Sequence, residues 1–144
     1  MLPEAMELVI VTPTRQLVRA RTSEVTLPGA NGYLGILPGH APLMTELGIG
    51  ELTFQGAAQG AAPLAIVRGF AEVLPDRVTV LAETAELAAE IDLERAEAAK
   101  ARAEKRLAAG APDIDWDRAS VALQRSLIRI QVARKFRGVP ANSR

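Results

Sequence analysis

The chain of 144 residues has no cysteine and a single histidine, His40. That excludes a disulfide framework, a thiol nucleophile, a thiolate metal site and a multi-histidine metal cluster. Aromatic residues make up only 3% of the chain, so any core must be aliphatic, and a nucleic-acid surface built on base stacking has little to use. No apolar run approaches the roughly 18 residues needed to cross a bilayer, and Met1-Leu2-Pro3-Glu4 lacks the basic start and apolar stretch of an export signal. The expectation is a chain made and kept in the cytoplasm. Acidic side chains stop at Asp117, whereas Arg118, Arg125, Arg129, Arg134, Lys135, Arg137 and Arg144 all follow it.

With 49% apolar and 24% charged residues, the composition is that of a globular protein rather than a disordered tail, and the length fits one domain or two small ones. The formal net charge of zero hides an uneven distribution. Residues 1–87 carry five basic groups against nine acidic ones, a net of −4, and the remainder carries twelve against eight, a net of +4. The basic end should seek an acidic partner.

Periodicity changes at the same place. Up to residue 87, short β-rich stretches alternate with glycine and proline: Glu7–Val11, Leu17–Ala20, Glu24–Leu27, Leu64–Val67, Phe70–Leu74 and Val78–Ala82. Pro75-Asp76 suits a hairpin between the last two. Strands this close together without intervening helices predict an antiparallel sandwich or barrel. From Leu87 onward, alanine, glutamate, arginine and leucine dominate, broken only by Gly110-Ala111-Pro112, which predicts a helical hairpin. The first helix is expected from about Asp92 to Ala109, and the second from Asp115 or Trp116 to Phe136, before Gly138 and Pro140. On the first, Leu93, Ala96, Ala103 and Leu107 share a stripe. On the second, Leu123, Leu127 and Ile130 form one apolar stripe and Val121, Ile128 and Val132 another, with Arg118, Arg125 and Arg129 along a basic edge.

Ile91-Asp92-Leu93-Glu94-Arg95-Ala96 and Ile114-Asp115-Trp116-Asp117-Arg118-Ala119 repeat one pattern, each at the start of a predicted helix. An aspartate N-cap followed by an acid in the first turn explains both without a ligand. Gly29, Gly32, Gly35 and Gly39 read as turn glycines rather than a phosphate cradle, because no helix N-terminus follows them. His40 has no serine, cysteine or second histidine motif around it, so it reads as a turn or interface residue.

Three segments in order, Gly32-Tyr33-Leu34-Gly35-Ile36-Leu37-Pro38-Gly39-His40-Ala41-Pro42-Leu43, Gly69-Phe70-Ala71-Glu72-Val73 and Val78-Thr79-Val80-Leu81-Ala82-Glu83-Thr84-Ala85-Glu86, resemble the epsilon subunit of the bacterial F-type ATP synthase, counterpart of the mitochondrial delta subunit. The resemblance covers most of the chain. It implies an α+β chain of two domains: an N-terminal antiparallel β-sandwich over residues 1–87, docked on the gamma subunit and the membrane rotor ring of c subunits, then a C-terminal α-helical hairpin over residues 88–144 that folds down or extends. It further implies a non-catalytic central-stalk subunit, peripheral on the cytoplasmic face of the bacterial cell membrane and attached to it only through the complex, with no cofactor required. The hairpin would inhibit ATP hydrolysis by reaching the beta and alpha subunits. By the same resemblance the turn Ala30-Asn31-Gly32-Tyr33 contacts the rotor ring, and His40 stands in a turn at the gamma interface. Asn31 and Tyr33 stand where many family members carry acidic residues, and Arg68 where the family residue is usually small. Ile91-Asp92-Leu93-Glu94-Arg95-Ala96 matches the family's nucleotide motif, and Glu86, Arg125 and Arg129 fall at positions the family uses, so ATP is implied as a regulatory ligand of Glu86, Ile91, Asp92, Arg95, Arg125 and Arg129. Two rival classes are a phosphate clamp for nucleic acid on the basic last helix, disfavoured by overall neutrality, and a sandwich-fold enzyme, which lacks a nucleophile, base pair or metal cluster.

Overall fold

A computed structural model describes residues 3–55 and 63–138; Met1, Leu2, Pro140 and Arg144, named above, lie outside the described residues. The chain divides into two compact units, Met1–Leu87 and Ala88–Arg144.

Among the described residues the first unit holds seven strands: β1 Met6–Val11, β2 Gln16–Thr22, β3 Glu24–Gly29, β4 Gly32–Ile36, β5 Leu43–Gln55, β6 Leu64–Leu74 and β7 Arg77–Leu87. They are hydrogen-bonded in the order β2-β1-β7-β6-β5-β3-β4. Every pairing is antiparallel except β1 with β7, where Leu8 faces Val78 and Ile10 faces Val80 in parallel. The fully antiparallel expectation is corrected at this one seam. Tight hairpins force antiparallel neighbours, but β1 and β7 are joined through the whole intervening chain, so no short turn dictates their direction. The β6–β7 hairpin turns through Pro75-Asp76, with Leu74 opposite Arg77.

Alternating inward residues build the aliphatic core. Met6, Leu8 and Ile10 of β1 and Val78 and Val80 of β7 are fully buried, with Val25, Leu27, Leu52, Leu64, Ile66 and Val73. Phe54 is the aromatic member of this cluster. In the central strands the alternation changes phase along one row. On β6 the buried set runs from Leu64 and Ile66 to Ala71 and Val73; on β7, from Val78, Val80 and Ala82 to Ala85; on β5, from Leu47 to Leu52 and Phe54. The change sits where β6 departs from ordinary strand geometry, with Arg68 at φ 56° and Gly69 at φ 136°. Residue register continues across it, Val67 facing Thr84 and Gly69 facing Ala82. The two stretches read as separate strands are therefore one strand with a left-handed residue in its middle.

Two strands were absent from the sequence reading. β4 contains Gly32 and Gly35, and Gly35 pairs with Thr26 inside the ladder rather than forming a turn. The 13-residue β5 carries Gly48 and Gly50, which mask its alternation.

The second unit opens with a 3-10 turn, Ala88–Glu90, followed by helix α1, Leu93–Ala109, and helix α2, Trp116–Phe136. Asp92 Oδ1 accepts from Arg95 N at 3.1 Å and Asp115 Oδ1 from Arg118 N at 3.0 Å, so both repeats act as N-caps. α1 ends at Gly110. The helices pack together. Only Ala96 and Ala103 of the expected α1 stripe are buried; Leu93 and Leu107 are half-buried. On α2, Ala119, Ser126, Ile130 and Ala133 share one buried face by their spacing, and Ile128 and Val132 are buried beside it. Leu127 is exposed, which corrects the stripe of Leu123, Leu127 and Ile130. Small residues let two helices approach closely, so a narrow alanine-serine seam displaces the bulkier leucines. Ser126 is tolerated there because its Oγ donates to Leu123 O at 2.8 Å. Among the described residues no helix is long and apolar enough to cross a membrane.

Candidate functional site

The turn at Ala30-Asn31-Gly32-Tyr33 is the tip of the β3–β4 hairpin, Gly29 facing Gly32 across a two-residue loop. Ala30 N donates to Glu46 O at 2.9 Å, which fixes the tip against β5. All four residues of the turn are exposed. They line a surface cleft of about 340 Å³ together with Gly29, Leu34, Leu43, Thr45 and Glu46. Sequence reasoning found the turn but missed Leu43, Thr45 and Glu46, because β5, which brings them there, went unread. Tyr33 does not simply project: its Oη accepts from Glu51 N at 3.1 Å.

His40 closes the turn Leu37–His40, its N–H donating to Leu37 O at 3.1 Å. Its Nδ1 donates to Ala41 O at 2.6 Å. Gly39 N donates to Pro75 O at 2.7 Å, so this turn lies against the β6–β7 hairpin. A ring nitrogen committed to a neighbouring carbonyl orients the imidazole but supplies no base pair for catalysis.

A second exposed feature of the sandwich was not foreseen. Phe70 and Leu81 face each other across β6 and β7, and Leu81 faces Val11 on β1. They are 53% and 54% exposed, and Leu37 and Met44 of the same unit are exposed as well. A shallow apolar cleft of about 390 Å³ runs beside them, lined by Pro13, Gly69, Ala82 and their neighbours. The signal was present in the alternation, since Phe70 shares a strand face with Glu72 and Leu81 with Glu83, the exposed one.

The expected nucleotide residues are divided between the units. Glu86 is half-buried near the end of β7. Ile91 is buried just before α1, Asp92 caps that helix, and Arg95 is exposed in its first turn. Arg125 is exposed on α2 and Arg129 half-buried one turn later. Two links set the register of the hairpin: Arg134 Nη2 donates to Glu97 Oε1 at 2.9 Å and Arg137 Nη2 to Ile91 O at 3.4 Å. At 1.5 Å per residue, the first link puts Arg129 about 10 Å and Arg125 about 16 Å along the hairpin from the level of Arg95, and the second puts them about 6 Å and about 12 Å from it. The side chains of Arg95 and Arg125 make no ion pair or hydrogen bond among the described residues. The guanidiniums of Arg95 and Arg125 are of the type that holds phosphate oxygens, whereas Asp92 Oδ1 is already occupied by the helix cap. The cleft of about 570 Å³ between α1 and α2 is lined by a different set, including Glu97, Lys100, Glu104, Gln131 and Arg134.

Residues 5–88 match the family model described as the beta-sandwich domain of the ATP synthase delta/epsilon chain, and residues 89–134 match that of its long alpha-helix domain. The chain belongs to the ATP synthase epsilon chain family. The ATP synthase epsilon chain of Geobacter sulfurreducens is 48% identical over 133 residues, covering 92% of this chain and 96% of the relative. That of Syntrophobacter fumaroxidans is 45% identical over 132 residues, covering 92% and 98%. The fold is also similar to a chain of the Euglena gracilis mitochondrial ATP synthase (OSCP/F1/c-ring, rotational state 1), with TM-score 0.74, 23% identity and coverage of 86% of this chain and 78% of the other. The epsilon chain is a non-catalytic subunit, and this member of the family is read as one.

Proposed function

We propose that this epsilon chain is a coupling and regulatory subunit of the central stalk of a proton-translocating F-type ATP synthase. The sandwich docks on gamma and on the c-subunit ring, and the hairpin inhibits ATP hydrolysis by reaching the beta and alpha subunits. The complex holds it as a peripheral protein on the cytoplasmic face of the bacterial cell membrane. The observation that carries this reading is the union, on one chain, of a sandwich with an exposed apolar row at Phe70 and Leu81 and a hairpin whose second helix has no acid beyond Asp117. An exposed apolar row on a small domain suits a protein interface, here gamma. The tip at Ala30–Tyr33, clamped against β5, offers polar backbone and Asn31 to the loops of the rotor ring, and the His40 turn lies at the gamma interface.

For the hairpin, charge gives the direction: a basic helix of 21 residues seeks an acidic surface on the catalytic head, and at 1.5 Å per residue α2 alone spans about 30 Å. ATP bound by Glu86, Ile91, Asp92, Arg95, Arg125 and Arg129 would favour the folded hairpin, because a ligand shifts an equilibrium only by its differential affinity for the two states. ATP serves here as a regulatory ligand, and no cofactor is required. Copurification tests the assembly: the chain should comigrate with gamma in gel filtration, and Phe70→Glu with Leu81→Glu should abolish this while the sandwich still melts cooperatively. Comigration unaffected by both substitutions would place gamma on another surface.

A further inference from the structure

The hairpin is held by a thin seam. α1 is 17 residues long and its buried residues are Ala96 and Ala103. An alanine methyl adds only about 0.8 kcal/mol of apolar burial, against roughly 2 for a leucine. α2 adds Ile130 beside Ala119, Ser126 and Ala133 on its buried face, so the polar links between the helices supplement a modest apolar seam. Both cross-helix links described above fall at one end. Arg134, its side chain 23% exposed, pairs with Glu97 at 2.9 Å, and Arg137 reaches the carbonyl of Ile91 just ahead of α1. They fasten the last turn of α2 to the first turns of α1.

We propose that this pair of contacts is a latch, and that the arginines which hold the hairpin folded are the same ones it presents to an acidic partner when it opens. The inference rests on the reading of the hairpin as a two-state arm, and deepens it. The Arg134 guanidinium donates Nη2 to Glu97 Oε1, and that carboxylate offsets its charge locally. Leaving Glu97 exposes that charge on a helix with no acidic residue of its own beyond Asp117. Folded and extended states thus compete for Arg134 and Arg137. Breaking the latch from the Glu97 side and from the arginine side must then have opposite consequences for the partner contact: the first frees cations, and the second removes them.

The absence of cysteine permits a direct test on the full chain. Spin labels at Ala98→Cys and Ser120→Cys, both exposed positions on the two helices, report hairpin opening as a longer distance in pulsed electron paramagnetic resonance. Glu97→Gln and Arg134→Glu should each raise the open population about threefold or more, the scale of a partly exposed ion pair. The exchange Glu97→Arg with Arg134→Glu should restore the parent distribution, and circular dichroism should show unchanged helix content throughout. Open populations unaltered by either single substitution, or not restored by the exchange, overturn the latch. In the assembled ATP synthase, Glu97→Gln should lower ATP hydrolysis and Arg134→Glu should not. If both substitutions open the hairpin while hydrolysis follows neither, the latch stands and the inhibitory reading of the arm falls.

Discussion

Tyr33 Oη accepts a hydrogen bond from the backbone N–H of Glu51 at 3.1 Å, although the tyrosine is 58% exposed and belongs to the turn proposed to meet the rotor ring. The ring can lie there because residue 50 is glycine: a Cβ at Gly50 would stand 2.7 Å from Tyr33 Oη and 2.6 Å from Pro28 Cβ. Tyr33 thus clamps the β3–β4 hairpin across β5, giving the tip a defined position rather than a charge.

Tyr33→Phe should lower stability by about 1 kcal/mol, the net value of one such hydrogen bond. Gly50→Ala should cost more, since it displaces both Tyr33 and Pro28. Chemical denaturation checks both. A tyrosine valued only for its contact with the rotor would leave the melt of the isolated chain unchanged and affect assembly alone.

At Arg68 the backbone adopts φ 56°, a conformation glycine holds without strain, and Gly69 follows at φ 136° with a would-be Cβ only 2.0 Å from Leu81 O. Arg68→Gly is expected to raise stability by about 1 kcal/mol through relief of strain. Gly69→Ala is expected to destabilise severely, because the added methyl meets backbone and not a movable side chain. Equal and small effects of both substitutions in thermal melts would contradict the strained row as the origin of the phase change.

That same row limited how far the fold was legible. Both helices were readable to within a residue, because aspartate caps, Gly110 and runs of alanine and glutamate act locally. Strands β1, β2 and β3 were readable from alternation and turn residues. β6 read as two strands, since a left-handed residue breaks the pattern without ending the strand. β4 and β5 did not read at all, as glycines at 32, 35, 48 and 50 mimic loop composition, although of these four Gly50 alone is where a Cβ would meet neighbours closer than 3 Å. The parallel β1–β7 seam is a tertiary pairing with no local signature. For the candidate site, the cationic run on α2 and the cap motifs were plain in sequence. The pairing of Arg134 with Glu97, 37 residues apart, depends on helix register.

The nucleotide reading and the cap reading of Asp92 separate by comparison with its twin. Asp92→Ala and Asp115→Ala should each cost about 1 kcal/mol of hairpin stability, typical of a lost N-cap. Arg125→Ala with Arg129→Ala should weaken ATP binding at least tenfold, about 1.4 kcal/mol, with helix content unchanged. Isothermal calorimetry on the full chain decides. No binding by the parent chain, or a dissociation constant indifferent to the arginine pair, would leave Asp92 and Arg95 as structural residues.

The central claim concerns the hairpin as a brake. A chain ending at Leu87 retains all seven strands and their buried cluster, and should melt cooperatively and assemble with gamma. ATP hydrolysis by the assembled enzyme carrying that shortened chain, compared with the parent over a range of ATP and salt concentrations, is the most direct measurement. The account predicts faster hydrolysis without the hairpin, with the difference shrinking at high salt as the attraction of α2 for its acidic partner is screened. Equal hydrolysis by the two complexes, with assembly intact, would contradict it.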